Sequence, residues 1–350
     1  MFSFLTTAYR TEDVLERMIS SVLAQTMTDW ELVIVDNGWS DAIADVVRPH
    51  LSDRRVTFVR QENRGAAGGT MAAAAEARGR FLVPLNSDDA LEPQFCRRMA
   101  DLVEQTPDVA AVTCDAYLFV DPGEQRMVRT YLRNPAARRR SDPAKRLSVA
   151  DVIDGPCPYY SAAIRKDVWE SLGGLASDTP MVDDLAFWLR ALAADHDVRM
   201  IPDVLARFRV ETDSVSRPAE AARAEEFEVQ RERALIRAVE TSGDADAQAA
   251  LDRVLRKLRY VQSLRRARLA FRAGDVEDAR RHVGVAFGQQ RTARSAGLLL
   301  SLRLAPGVLR RMHPAKQKVQ ARVDAVRRLG WRQLLRSGRD ARGTRDSGTP

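Results

Sequence analysis

Five short apolar runs, each followed by a helical segment or a turn, constrain this chain more than any other feature. Phe2 to Thr6, Trp30 to Val35, Val56 to Val59, the run that begins at Phe81, and Val109 to Thr113 have the length and content of buried strands. Helices are expected between them, from Glu12 to about Ala24, Ala42 to Leu51, Ala66 to Arg78 and Glu92 to Gln105. Thr11 suits the N-cap of the first, which places Val14, Leu15, Met18, Ile19 and Val22 on one side. Strands alternating with helices predict an α/β fold, a mostly parallel sheet covered on both faces. In such sheets ligands bind beyond the carboxyl ends of the strands. The polar clusters of this half of the chain fall at those ends.

The stretch FLVPLNSDDALEP from Phe81 to Pro93 shows the pattern most clearly. An apolar run ends in Asn86, Ser87, Asp88 and Asp89 just before a helix. Two adjacent acids there suit a hard divalent cation, which prefers carboxylate oxygens and shares them with nucleotide phosphates. They equally suit a helix start, and the stretch alone leaves both readings open.

The second half continues with a hairpin from Tyr117 to Tyr131 around Asp121-Pro122-Gly123, and a basic, Pro-broken loop from Asn134 to Lys145 that is expected to be mobile. Tyr159 to Ile164 reads as a strand, Lys166 to Leu172 as a short helix stopped by Gly173-Gly174, and Asp184 to Ala194 as an amphipathic helix. Val198 to Ile201 and Leu205 to Val210 read as two short strands. From Pro218 the pattern is helical, broken at turns such as Gly274-Asp275. The expected organisation is a first domain over 1–215, a helical region over 216–336 and a disordered tail over 337–350.

Charge separates the two parts. Between Leu251 and Pro350 there are 25 Lys/Arg against 7 Asp/Glu, a net of +18 in a chain of net +7, so the first 250 residues carry −11. A basic terminal region points to an anionic partner surface. It lacks interleaved aromatics and nucleic-acid motifs, so lipid or a carrier-linked acceptor is expected and nucleic acid is not. The apolar segment Leu298 to Leu309 suits a membrane interface or packing against the first domain. No run approaches the roughly 18 apolar residues of a membrane span, and MFSFLTTAYR carries no basic leader. Cys96, Cys114 and Cys157 are an odd, scattered set that fits a reducing compartment. The expected location is cytoplasmic, with a peripheral place on the inner face of the membrane; oligomeric state is left open.

Taken in order, LTTAYR, ELVIVDNGWSD, ENRGAAGG, GRFLVPLNSDD, a Gly-Gly element and VDDLAFWLR resemble the family 2 glycosyltransferases of GT-A fold, over residues 2 to about 212. The series is specific where each member alone is common. The resemblance implies an inverting enzyme that moves a sugar from a nucleotide-diphosphate sugar to an acceptor hydroxyl of a glycan or lipid-linked acceptor, with Mg²⁺ or Mn²⁺. Carried across, it puts Asp36 on the donor base, with Thr7 and Tyr9 lining the same pocket and Asn63 and Gly65 in the donor set. Asp88 is implied near the ribose or sugar, Asp89 as the metal ligand and Asp184 as general base. Asp183, Tyr159, Arg207 and Arg209 are implied acceptor or loop contacts, Arg207 and Arg209 together with Ser214 to Ser216. The chain departs from the family pattern at Asn37, Trp39, Thr70-Met71 and Asn86. A nucleotide-sugar-binding protein without activity is the alternative. A dinucleotide oxidoreductase is disfavoured because no GxGxxG follows the first strand, and a receiver domain because Phe2 to Thr7 supplies no acids.

Overall fold

The computed structural model describes residues 1–132, 142–176, 178–210 and 221–304. Ser214 to Ser216, the tail after 337, Pro306-Gly307 and most of the basic loop after Asn134 lie outside the described residues. The first half follows the expected alternation: β1 (Phe2–Ala8), α1 (Glu12–Leu23), β2 (Trp30–Asp36), α2 (Asp41–Val47), β3 (Val56–Arg60), α3 (Gly65–Glu76) and β4 (Phe81–Pro84). All three pairings among these strands are parallel, with β1 between β2 and β4. Leu15, Met18, Ile19 and Val22 of α1 are fully buried, which stabilises by roughly 1.5–3 kcal/mol per side chain. The register aligns Ala8 with Asp36 and Asp36 with Arg60, so three strand ends present one row of residues.

The second half comprises β5 (Ala90–Leu91), α4 (Phe95–Gln105), β6 (Ala111–Val120), β7 (Gln125–Thr130), α5 (Val149–Asp154), β8 (Ala163–Arg165), α6 (Lys166–Ser171), α7 (Asp183–Ala193) and β9 (Val198–Arg209). Together the strands form one mixed sheet in the order β3-β2-β1-β4-β8-β6-β9-β5, with β7 beside β6. The hairpin around Asp121-Pro122-Gly123 is present as β6 and β7. Its first arm is continuous with the strand expected at 109–113, so those two are one.

Likewise the two short strands expected at 198–210 are a single β9. Thr113 pairs with Met200 and Asp115 with Val204, so four residues of β9 stand against two of β6. The bulge carries Pro202, which cannot donate to a ladder. It lies clear of β5, which pairs with β9 only at Ala206 and Arg207. The strand expected from Tyr159 shortens to β8, because the Tyr159 carbonyl accepts from the Thr113 hydroxyl (2.7 Å) instead of from a ladder. Helix α5 escapes sequence reading because it is only one and a half turns long; a capping box between Ser148 and Asp151 starts it.

Helices α8 (Ala221–Ser242), α9 (Ala245–Ala273), α10 (Val276–Gln289) and α11 (Ala293–Leu304) follow. One compact unit runs from Met1 to Val254; a second begins at Leu255, within α9. In the first, α8 packs on α7, and Gln230 accepts from the Met181 amide (2.9 Å). In the second, Ala267 and Phe271 pack with Ala279, Val283 and Leu302. Among the described residues no helix is long and apolar enough to cross a membrane.

Helix α3 approaches β1 unusually closely at Gly69, where an added Cβ would lie 2.2 Å from Thr7 Cγ2. Gly69→Ala should therefore destabilise by about 1–3 kcal/mol through overpacking. Gly284→Ala, with no atom within 4 Å of the new methyl, should be neutral or stabilise by up to about 1 kcal/mol. Equal melting temperatures for the two variants would refute the close contact.

Candidate active site

The carboxyl ends of β1, β2 and β3 form the first part of the site. Asp36 is buried, and its Oδ2 accepts from Arg60 Nε at 3.0 Å. Its Oδ1 is buried too and has no hydrogen-bond partner among the described residues. Arg60 also bonds Asp41 (3.1 Å) and lies 5.1 Å over the Trp39 ring. Trp39 is 58% exposed and Tyr9 42%, so two aromatic rings stand open beside a buried carboxylate. Gly38 lets Tyr9 close in, since a Cβ there would sit 3.0 Å from its ring.

Asn37 organises the next loop. Its Nδ2 donates to Asn63 Oδ1 (3.2 Å) and Gly65 O (2.9 Å), and its Oδ1 accepts from Gln61 Nε2 (2.8 Å) and the Arg64 amide (3.1 Å). Asn63 and Gly65 thus serve the turn into α3, where Gly65 takes a positive φ of 74° and its amide donates to Asn63 Oδ1 (2.8 Å). Thr7 faces Thr70 across 3.2 Å. Met71 Sδ accepts from the Leu175 amide (3.4 Å) and touches Gly174, so this departure from the family supports the Gly-Gly turn.

The two acids after β4 have opposite surroundings. Asp89 is buried; its Oδ2 accepts from the Tyr159 hydroxyl (3.2 Å) and its Oδ1 from the Arg209 amide (2.8 Å). Burial, with the Asp88 charge behind it, raises the Asp89 carboxyl well above the usual range. Asp88 is the more accessible, with 25% of its side chain exposed and Arg209 Nη1 3.8 Å from Oδ2. Arg209 Nε and Arg17 Nη1 both donate to Asp121, at 2.7 and 3.1 Å, which draws two guanidinium groups to this end. The carboxylate expected to hold a metal is therefore turned into the protein, and its neighbour faces outward. Among the described residues no three His, Cys, Asp or Glu side chains cluster as a metal cage. A single accessible carboxylate fits Mg²⁺ or Mn²⁺ when substrate phosphate and water complete the shell.

Asp183 and Asp184 begin α7, where the helix dipole favours acids. Burial wins nonetheless: it pushes Asp183 up to about 7, with the Asp184 charge adding, and raises Asp184 as well. Burial likewise pushes up the Cys157 thiol and the Tyr131 hydroxyl, and the Asp184 charge contributes to both. Tyr131 stacks edge-on against Tyr159 (5.2 Å), so aromatic packing links the surroundings of Asp184 to those of Asp89. Arg207 bonds Glu124 (3.1 Å), Leu91 O (3.1 Å) and Glu92 (3.4 Å). Sequence reading missed Arg60, although it ends a predicted strand just as Asp36 does; Arg17 and Tyr131 carry no local signal.

The model of the family described as Glycosyl transferase family 2 matches residues 3–171. The amylovoran biosynthesis glycosyltransferase AmsE of Erwinia amylovora is 25% identical over 221 residues, 62% of this chain and 79% of that protein. Other curated relatives are matched over less than two thirds of their own length, 40%, 62% and 28% in three of them. A solved structure of S. aureus TarS in complex with UDP-GlcNAc superposes with a TM-score of 0.57 at 13% identity, covering 83% of this chain and 92% of that one. The mannosyltransferase PcManGT from Pyrobaculum calidifontis, in complex with GDP-Man and Mn2+, gives 0.51 at 17%, covering 86% and 78%. At these identities the likeness is one of fold, a mixed α/β fold of GT-A type.

The raised Asp183 has a pH signature. Its pKa rises from 3.8 to about 7 on folding, so the folded chain holds this proton more tightly than the unfolded chain. That stabilisation is complete below the unfolded value and is lost as pH rises through the folded one. The melting temperature of Asp183→Asn relative to the parent should climb over that interval and level off above it. A difference independent of pH would show that Asp183 ionises freely.

Proposed function

We propose that this chain, whose residues 3–171 match the model of glycosyl transferase family 2, is an inverting glycosyltransferase acting on a nucleotide-diphosphate sugar and a hydroxyl of a glycan or lipid-linked acceptor. The observation that carries the reading is Asp36, a buried carboxylate with one unsatisfied oxygen, whose partner Arg60 lies over the exposed Trp39 ring. Asp36 lies at the strand ends, where α/β sheets bind nucleotides. Tyr9 and Trp39 offer faces to the base, and Thr7 borders the same end.

Asp88 would hold a divalent cation, Mg²⁺ or Mn²⁺, which when bound supplies Lewis-acid neutralisation of the leaving diphosphate. This role was expected of Asp89, whose oxygens are instead occupied by Tyr159 and Arg209. In this reading Asp89 is a positioning residue that presents Asp88. Arg209 and Arg17 add positive charge beside it.

Asp184 takes the proton of the acceptor hydroxyl. The hydroxyl oxygen then bonds to the anomeric carbon from the face opposite the nucleotide as the bond to the diphosphate oxygen breaks, which inverts the centre. Burial raises the affinity of Asp184 for a proton, the direction that suits a general base. Asp184→Asn should lower turnover by roughly 10²- to 10⁴-fold and leave donor affinity unchanged. The assay is nucleotide release from a panel of UDP-, GDP- and dTDP-sugars with Mg²⁺ or Mn²⁺, alongside calorimetric donor binding. Donor binding without any transfer by the parent chain would favour the inactive-binder reading, and loss of binding in the variant would make Asp184 structural.

The second unit is the candidate contact with an anionic membrane surface. From Leu255 to Leu304 it carries 12 Lys/Arg against 3 Asp/Glu, and Leu300 and Leu304 are 59% and 75% exposed. Leu300→Gln with Leu304→Gln should weaken partitioning of the full chain onto phosphatidylserine-containing vesicles. Unchanged partitioning, or none by the parent, would remove this role.

A further inference from the structure

The base of the donor can be narrowed by counting what Asp36 has left to give. A carboxylate only accepts hydrogen bonds. Oδ2 of Asp36 is held by Arg60 Nε at 3.0 Å, and that guanidinium is fixed in turn by Asp41 (3.1 Å). Oδ1 is buried, carries no partner among the described residues and belongs to a side chain only 1% exposed. One oxygen therefore stands without a partner, and the other has a cation on it.

The four kinds of base edge meet this pattern differently. Uracil and thymine present a single ring N–H flanked by two carbonyl oxygens. Such an edge gives its one donor to Oδ1 and turns an acceptor toward the guanidinium. Guanine presents two adjacent donors, a ring N–H and an exocyclic amine. Its second donor would meet an oxygen already committed to Arg60, beside a positive charge. Adenine and cytosine present a ring nitrogen lone pair next to their amine, which would face a carboxylate oxygen. Tyr9 and Trp39 cannot make this choice, since every base has a face to stack. Arg60 itself stands over the Trp39 ring at 5.1 Å, which ties the aromatic wall to the group that limits Asp36.

Building on the donor-site reading above, we propose that this site selects uridine or thymidine diphosphate donors over those of guanine, adenine and cytosine, and that Arg60 sets the choice by occupying the second oxygen of Asp36. Arg60 is a specificity-determining residue in this account; Asp36 makes the contact.

The test is calorimetric binding of UDP, dTDP, GDP, ADP and CDP to the full chain with Mg²⁺. UDP and dTDP should bind on the order of tenfold or more tightly than the other three, the usual penalty for leaving a buried polar group mismatched. Arg60→Met frees the second oxygen and should narrow the gap between GDP and UDP several-fold. GDP, ADP or CDP binding as tightly as UDP would overturn the proposal while leaving a glycosyltransferase in place. A folded Arg60→Met protein with an unchanged ratio would overturn the role of Arg60. Binding of none of the five would overturn both this inference and the functional reading on which it rests. The panel on the parent chain decides the base preference even if the variant does not fold.

Discussion

One buried carboxylate joins the two halves of the first unit. Asp89 follows β4 in the parallel half, and its oxygens go to the Tyr159 hydroxyl and to the amide at the end of β9, both in the mixed half. Burying an ionisable group is costly unless its bonds are met, and here burial outweighs the hydrogen bonds enough to raise its proton affinity. What the protein gains is position. With Asp89 held inward, Asp88 is the more accessible of the two, and the end of β9 brings Arg209 alongside it.

The pair after β2 repeats this logic with different chemistry. Asp36 and Asn37 are both buried, yet one keeps an unused acceptor while the other has every polar group engaged. Asn37 donates to two oxygens and accepts from two N–H groups, which only a carboxamide can do. An acid at that position would set a carboxylate oxygen against Asn63 Oδ1 and Gly65 O. The departure from a second acid therefore reflects what holds the β3–α3 loop. It also leaves Asp36 as the only carboxylate of the pair.

Much of this was legible in the chain itself. The strands β1 to β4 and the helices α1 to α4 follow from apolar runs and helical spacing, because those periods depend on neighbours in sequence; the two-residue β5 does not, because its pairing with β9 defines it. The acids at the strand ends were visible as well, since a buried strand must give way to polar residues where it leaves the sheet. Asp36 and Asp88 stood out for that reason; the α7 pair was implied by the family resemblance and begins a helix. Sequence pattern failed where a long-range partner decided the outcome. Pro202 reads as a strand break, yet β9 carries it as a bulge because β6 continues on one side and short β5 leaves it clear on the other.

The amino-acid order by itself determined the strand–helix alternation, the basic carboxyl-terminal charge and the acids that end the strands. Only the tertiary structure decided which acids do what. Adjacent aspartates are chemically identical until packing removes one from water, and Tyr159 and Arg209, 70 and 120 residues from Asp89, are what removes it. Arg60 acquires its meaning only when the β2–β3 register brings it beside Asp36. Arg207, which sequence order places near the site, is held by Glu92 and Glu124. Charge and hydrogen-bonding capacity are written in the sequence; the dielectric and the partners that give them a function are set by the fold.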